Sequence, residues 1–436
     1  MLEQLLVDPE IMSCVILQSL PLRSHRDYLW ILELCIISRS TRPHCLEAVK
    51  KHANRQISRI PDDLSGRLSP SEKIRKFPGL TEICWVRTAD EGDMKPELLL
   101  KLPLMKKFKG PPVGRSMEWI SSLTNLTDLD LLGGRSTSTT NATLSSLVNL
   151  NRLEIAVEYS LDTLDFFHQM TRLSSLNLRF MRFDTFFGEI PSSCASQLTS
   201  LSVVTSASTI TIDNRQWVQL SNLRCLKLTG VSFDISGMSL MTNLESLYIN
   251  TPFKKITKLT TISRLTNLTD LSLLVFPEST CPVFTLLVLT RLRSLQVNCQ
   301  SLSSNGLGDR AISKLSHSLT YLDLTDTDIV SDDGLALLTN LTSLRLSTTS
   351  LITSSGLSTM TQLRVLDTSS PLITMESILR LTLLESLTVF MGKYTLSLSS
   401  FLGLEHLKEL WVYGRSHSNK EIKEVFWERG IHLHFY

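Results

Sequence analysis

The sequence predicts an α/β solenoid, in which short parallel strands lie side by side and each is joined to the next by a helical return path. Two observations predict it. First, the frame L-x-x-L-x-L recurs with openers at Leu126, Leu150, Leu173, Leu198, Leu223, Leu244, Leu268, Leu292, Leu319, Leu341, Leu363, Leu384 and Leu407. Their mean spacing is about 23 residues, the length of one strand and its return. Second, the last four positions of each frame alternate between apolar and variable residues. That is the period of a strand with one buried face.

Ser318 to Ser347 displays one full unit. Leu319, Leu322 and Leu324 form a frame; Leu341, Leu344 and Leu346 form the next; Ile329, Leu335, Leu338 and Leu341 line the return. The pattern resembles the leucine-rich repeat. The resemblance implies a curved horseshoe with a parallel concave sheet. A single repeat cannot bury its own leucines, so repeats must stack and the ends need caps. The family usually places Asn or Cys three residues after the last frame leucine, where it bonds neighbouring coils. This chain has Gly134, Glu158, Met181, Ser206, Val231, Pro252, Phe276, Gln300, Thr327, Thr349, Pro371, Gly392 and Arg415 there. The expectation is that no asparagine ladder forms.

Residues 1–58 read as a separate helical module. Leu5, Leu6, Ile11, Val15, Ile16 and Leu20 recur at helical spacing until Pro21, and Asp27 to Ile37 forms a second apolar run. The segment from Asp8 to Thr41 resembles an F-box. Pro9 and Glu10 stand at the P-E step, Ile16 and Leu20 on the helix, Pro21 and Leu22 at the turn, and Asp27-Tyr28-Leu29 at the D-L step. It departs from that pattern near Ser24–Arg26, where residues are inserted, and at Ser40 or Thr41, where an aromatic is usual. The resemblance implies binding to the adaptor of a cullin-type ubiquitin ligase through Pro9, Ile16, Leu20, Leu22 and Leu29. The alternative is a plain helical cap over the first strand's edge. Residues 59–78, broken by Pro61, Gly66, Pro70 and Pro78, read as a linker.

The solenoid is expected over 79–436. It starts imperfectly, with Leu80, Ile83 and Trp85, then Met105, Phe108 and Gly110. It ends in a helix–strand cap. Asn419 opens a helix carrying Ile422, Val425 and Phe426 on one face, Gly430 stops it, and Ile431, Leu433 and Phe435 point inward from a last strand.

The chain has 436 residues, 20% charged, with a net charge of +2. That balance argues against a nucleic-acid or membrane-surface partner. Eight cysteines are scattered without a C-x-x-C and without clusters at either end, which points to reduced thiols. The first residues are acidic, unlike a secretory signal, and the most apolar run is too short to span a bilayer. A cytoplasmic or nuclear location is therefore expected, and not secretion. Of the sequons at Asn125, Asn141, Asn267 and Asn340, three read N-L-T, a triplet that the repeat frame itself generates.

No phosphate-cradling loop or catalytic constellation is present in the sequence, and neither cofactor nor metal is expected. His432 and His434 alternate on one strand but have no third ligand near them in sequence. The functional face is the concave sheet. Its outward column reads Asp130, Glu154, Asn177, Ser202, Lys227, Tyr248, Ser272, Gln296, Asp323, Arg345, Asp367, Thr388 and Trp411. Its C-terminal third gathers Tyr321, Asp323, Arg345, Asp367, Phe390, Trp411 and Tyr413. Aromatics beside arginine are the composition of protein-binding hot spots. The expected function is a non-enzymatic protein-binding platform, in its specific form an F-box substrate receptor. The alternative is a scaffold or regulator of a signalling enzyme.

Overall fold

A computed structural model describes residues 81–84, 96–102, 104–110, 117–131, 141–157, 165–180, 191–205, 214–230, 235–251, 259–275, 286–298, 307–325, 330–347, 351–390, 398–414 and 420–435. The 1–58 module and the 59–78 linker lie outside the described residues. The described residues form two compact units. One runs to residue 179 and includes 191–197; the other holds residue 180 and everything from 198 onward.

Both units are built from the same strand. The first holds β1 (Glu82–Cys84), β2 (Lys107–Lys109), β3 (Asp128–Asp130), β4 (Arg152–Val157) and β5 (Ser175–Phe180), whose last residue belongs to the second unit. The second holds β6 (Ser200–Thr205), β7 (Cys225–Thr229), β8 (Ser246–Thr251), β9 (Asp270–Val275), β10 (Ser294–Asn298), β11 (Tyr321–Leu324), β12 (Ser343–Leu346), β13 (Val365–Thr368), β14 (Ser386–Phe390), β15 (Glu409–Tyr413) and β16 (His432–Phe435). Within each unit the strands are parallel and stand in chain order, and the sheet does not close. The register confirms the sequence frame. Leu295, Leu322, Leu344, Leu366, Leu387, Leu410 and Leu433 fall on one line across β10 to β16. In the second of the imperfect early frames Met105, Phe108 and Gly110 are buried, Phe108 with 1% exposed at the centre of β2; in the first, Ile83 is only partly covered, and Leu80 and Trp85 lie outside the described residues.

The return paths obey a period of three. Buried residues recur as Met117, Ile120, Leu123, Leu126; as Ile235, Met238, Met241, Leu244; and as Leu335, Leu338, Leu341. Each donates its amide to the carbonyl of the one before, at 2.8–3.0 Å. This is the 3₁₀ spiral, in which residues i and i+3 eclipse and present one narrow apolar edge. The elements the spiral extends are correspondingly short: Asn214–Gln219 and Asp332–Ala336 as α-helix, Glu118–Ser122 and Ser236–Leu240 as 3₁₀ helix.

Three ladders stitch consecutive coils. At most strand entrances one carbonyl takes two amides of the next coil, as Thr320 O does from Thr342 (2.9 Å) and Ser343 (3.0 Å). The second ladder is made by asparagines at a position other than the family's. Asparagines do bond neighbouring coils, but from the residue just before the frame opener. Asn149, Asn243, Asn267 and Asn340 donate Nδ2 to Thr124, Ser221, Thr242 and His317 carbonyls at 2.8–3.3 Å. Arg172 and Arg291 then donate to Oδ1 of Asn149 and Asn267. Two of the N-L-T sequons are thus explained, because Asn267 and Asn340 spend their amide nitrogen on the backbone.

The third ladder joins helix starts in the second unit. Asp309 accepts from the Ser331 amide (2.8 Å) and hydroxyl (2.6 Å), and Asp332 accepts from the amide and hydroxyl of Thr353. The Ser354 hydroxyl in turn accepts from the Thr374 amide at 2.8 Å. Glycine makes the carboxylate contacts possible. A Cβ on Gly334 would sit 2.1 Å from Asp309 Oδ1, and one on Gly356 2.5 Å from Asp332 Oδ1.

The terminal helix Lys420–Glu428 and β16 close the described chain. Phe426 is fully buried, but Val425 is 42% exposed, which corrects the expected face. The helix end turns through Gly430 at φ 75°, a left-handed conformation that glycine adopts without strain. Ile431 is buried, whereas Leu433 and Phe435 are only partly covered, because nothing among the described residues stacks beyond β16.

Gly334→Ala should destabilise the fold by about 2 kcal/mol in urea unfolding, through the displaced Asp309 and its lost hydrogen bonds. Helix propensity alone predicts the opposite sign. In an Asp309→Ala background the same change should cost far less; a full, additive cost there would show that the clash is not the cause.

Candidate functional site

The sheet face differs between the two units. In the first it is charged and paired both across strands and, at Arg152 and Glu154, along one strand. Lys107 meets Glu82 at 2.8 Å, Lys109 meets Asp130 at 3.1 Å, and Arg152 holds Glu154, which also accepts from Asn177 at 3.2 Å. These ions neutralise one another and, where exposed, contribute little to stability.

In the second unit the register sets Lys227, Tyr248, Ser272, Gln296, Asp323, Arg345, Asp367, Thr388, Trp411 and His434 in one outward row. Lys227 lies over the Tyr248 ring, 4.7 Å from its centre. From Ser272 onward the row becomes a polar chain. Ser272 donates to Gln296 Oε1 at 2.6 Å, and Gln296 donates to Asp323 Oδ2 at 2.9 Å. Asp323 is 2% exposed and also accepts from the Tyr321 hydroxyl (3.3 Å) and the Thr325 amide (2.9 Å). A carboxylate this buried survives only when its lone pairs are satisfied. Arg345 completes the group, 3.9 Å from Asp323 and 3.7 Å from Asp367.

Two carboxylates share one guanidinium. Burial pushes the Asp367 carboxyl above its ordinary value; Arg345 opposes that and Asp323 adds to it. Burial, then the Asp323 charge, likewise raises the Tyr321 phenol, so it remains a hydrogen-bond donor at neutral pH.

Two stacked ring pairs follow. Trp411 and His434 lie 4.0 Å apart at 14°, and Phe390 and Tyr413 lie 5.6 Å apart at 6°. Phe390 is 51% exposed. Of the expected face residues, Tyr321, Asp323, Arg345 and Asp367 form one network, and Phe390, Trp411 and Tyr413 belong to the two stacks. Gln296 stands in the outward column read from the sequence, but its bond to Asp323 was not foreseen, and His434 was not placed in the row, although it follows the inward Leu433 as Gln296 follows Leu295. His434 is a stacking partner of Trp411, and His432 meets the edge of Trp427 at 5.9 Å. No group of three or more metal-ligating side chains occurs among the described residues. Pro9, Ile16, Leu20, Leu22 and Leu29 lie outside the described residues.

The two cysteines whose thiols are described are free, and neither is poised as a nucleophile. Burial pushes Cys194 up to about 12. Cys225 is raised by burial and then by Glu245 and Asp270, against Arg224. Among the described residues no helix is long and apolar enough to cross a membrane.

No protein-family model matches the chain, and no curated protein matches it. Solved structures do. A leucine-rich repeat protein of Leptospira interrogans is 19% identical, with a TM-score of 0.51 over 84% of this chain and 98% of that one. An internalin of Listeria monocytogenes is 20% identical, with a TM-score of 0.45 over 67% and 88%. The Drosophila Toll chain in its complex with Spatzle is 15% identical, with a TM-score of 0.44 over 84% and 56%. At such identities a likeness bears on the fold alone. Together with the strand register and the repeat frame, the Leptospira likeness defines the class: the chain is a leucine-rich repeat solenoid.

Carboxyl-detected NMR of Asp367 should give a midpoint above the ordinary 3.8, higher still in Arg345→Gln and lower in Asp323→Asn. The linked stability has a definite sign. With its folded value raised, Asp367 contributes stability when protonated and loses it as pH rises through that value. Because the carboxylate is 41% exposed, the effect should be small. An unshifted midpoint, insensitive to Arg345, would contradict the shared-guanidinium arrangement.

Proposed function

We propose that the chain is a non-enzymatic protein-binding platform whose working surface is the sheet face of β11 to β15. The observation that carries this is the conjunction on one face of two stacked aromatic pairs with the Asp323–Arg345–Asp367 ion network. Aromatic side chains bury large area at little entropic cost, and arginine offers directional hydrogen bonds; together they make binding hot spots. The raised thiols of Cys194 and Cys225 agree with a role that needs no nucleophile. Their free state agrees with an intracellular setting.

The test is affinity capture by the wild-type chain beside a Phe390→Ser/Trp411→Ala variant of equal melting temperature. A discrete partner held by the wild type should be lost by the variant. Hydrogen exchange of the recovered complex should show protection on β13 to β15. An unchanged set of captured proteins would remove this face from consideration.

A finer reading makes residues 1–58 an adaptor-binding module and the chain a substrate receptor of a cullin-type ubiquitin ligase. It is supported by the sequence match at Pro9, Ile16, Leu20, Leu22 and Leu29. The competing reading is a scaffold or regulator of a signalling enzyme. A pull-down against the ligase adaptor separates them. Capture by the wild type and loss in a folded Leu20→Asp/Leu29→Asp variant supports the receptor. Failure of well-folded wild type to capture the adaptor favours the scaffold.

A further inference from the structure

We propose that the rim at which the chain leaves β12, β13 and β14 docks a basic amphipathic helix of the partner protein. The inference rests on the protein-binding reading above and extends its surface around the strand ends. Two consecutive coils leave the sheet through the same triplet, Leu351-Ile352-Thr353 and Leu372-Ile373-Thr374. The fold accounts for two residues of each. Ile352 and Ile373 are buried in the core, and Thr353 and Thr374 stand at the N-caps of the helices Ser354–Leu357 and Met375–Leu379. Core packing does not account for the first residue, because Leu351 is 56% exposed and Leu372 is 48% exposed. The coils are in register here. The Ser354 hydroxyl donates to the Leu372 carbonyl at 3.5 Å and accepts from the Thr374 amide at 2.8 Å. The two leucines therefore occupy one position on neighbouring coils. On the next coil the half-exposed Phe390 ends β14 at the same rim and carries the strip to its stack with Tyr413.

Charge selects the partner. The segments that leave β11, β12 and β13, residues 325–333, 347–355 and 369–377, hold five acidic residues and no Lys, Arg or His. Asp332 is spent on Thr353, but Asp333 and Glu376 are exposed in the first turns of their helices and have no cation partner among the described residues. The arginines of these coils stand elsewhere. Arg345 lies on the sheet face between Asp323 and Asp367, Arg364 meets Glu385 at the strand entrance, and Arg380 caps the far end of the helix Met375–Leu379. An exposed apolar strip bordered by acid is complementary to an apolar face bordered by base. Spacing selects a helix. Neighbouring coils repeat at about 4.8 Å, the separation of paired strands. A helix laid along the stack presents one turn every ~5.4 Å, close to one per coil. An extended segment presents same-face residues about 6.8 Å apart and falls out of step with the coils at once.

The test pans a phage-displayed library of helical peptides against the full-length chain and measures retained peptides by calorimetry. The library fixes an apolar stripe at i, i+3, i+4 and i+7 and randomises the flanking positions over Lys, Glu and Ser. The expected result is enrichment of lysine beside the stripe. A Leu351→Ser/Leu372→Ser variant of equal melting temperature should bind about ten-fold more weakly. Asp333→Asn/Glu376→Gln should weaken binding several-fold at low salt and little at high salt. Retained peptides without basic enrichment, or indifferent to the leucine variant, would overturn the rim, as would failure to retain any peptide. A partner captured through Phe390 and Trp411 yet held equally by the leucine variant would leave the binding platform standing and overturn the rim. Dimerisation of the chain in sedimentation, abolished by the leucine variant, would make the strip a contact between copies and overturn the helix.

Discussion

The structure depends on one constraint: each coil must return to the sheet with its backbone satisfied and its leucines covered by coils it does not itself contain. The strand-entrance carbonyl that accepts two amides does the first. The 3₁₀ spiral does the second, because its period of three keeps one line of side chains, such as Leu335, Leu338 and Leu341, facing the stack. An α-helix of the same length would rotate its apolar residues by about 100° per position and spread them over a wider arc. The narrow line leaves room for the inward leucines of the strands, such as Leu344, which are buried from the opposite side.

Around that constraint the coils are stitched by whatever polar group the local geometry admits. In the second unit, Asp309 and Asp332 each hold the start of the next helix, and Gly334 and Gly356 exist where a methyl group would strike those carboxylates. Elsewhere an asparagine reaches a carbonyl one coil back, and arginine extends the same line. These bonds join coils but impose nothing on the outward strand positions. The sheet face is therefore free to carry charge in one unit and mixed aromatics and ions in the other, on identical backbone.

That freedom is what the proposed binding role draws on. The first unit's face is closed on itself, cation against anion, so a partner would have to displace existing pairs. The face of β11 to β16 is differently composed. It holds one guanidinium between two carboxylates, one of them buried, and rings whose faces run along the row. Rigid strands hold its parts in fixed spacing.

Much of this was legible in the chain. The leucine frame alone determined the solenoid, the strands from β3 onward, the inward leucines and the outward column from Asp130 to Trp411, because a period-two strand in a fixed repeat leaves no choice of face. Tertiary structure decided what the column's members do to one another. Asp323 and Arg345 are 22 positions apart in sequence yet meet because the register places them on adjacent strands. His432 and His434 alternate on one strand in the sequence, but that His434 stacks on Trp411 follows only from the register of β15 and β16. The reason for the glycines at 334 and 356 is not visible in the local sequence, because it lies in a carboxylate more than twenty residues earlier. The asparagine ladder escaped sequence reasoning because its donors precede the frame rather than follow it. Periodicity reports which side of the backbone a residue occupies; only the folded stack sets the distance across which it meets its neighbour.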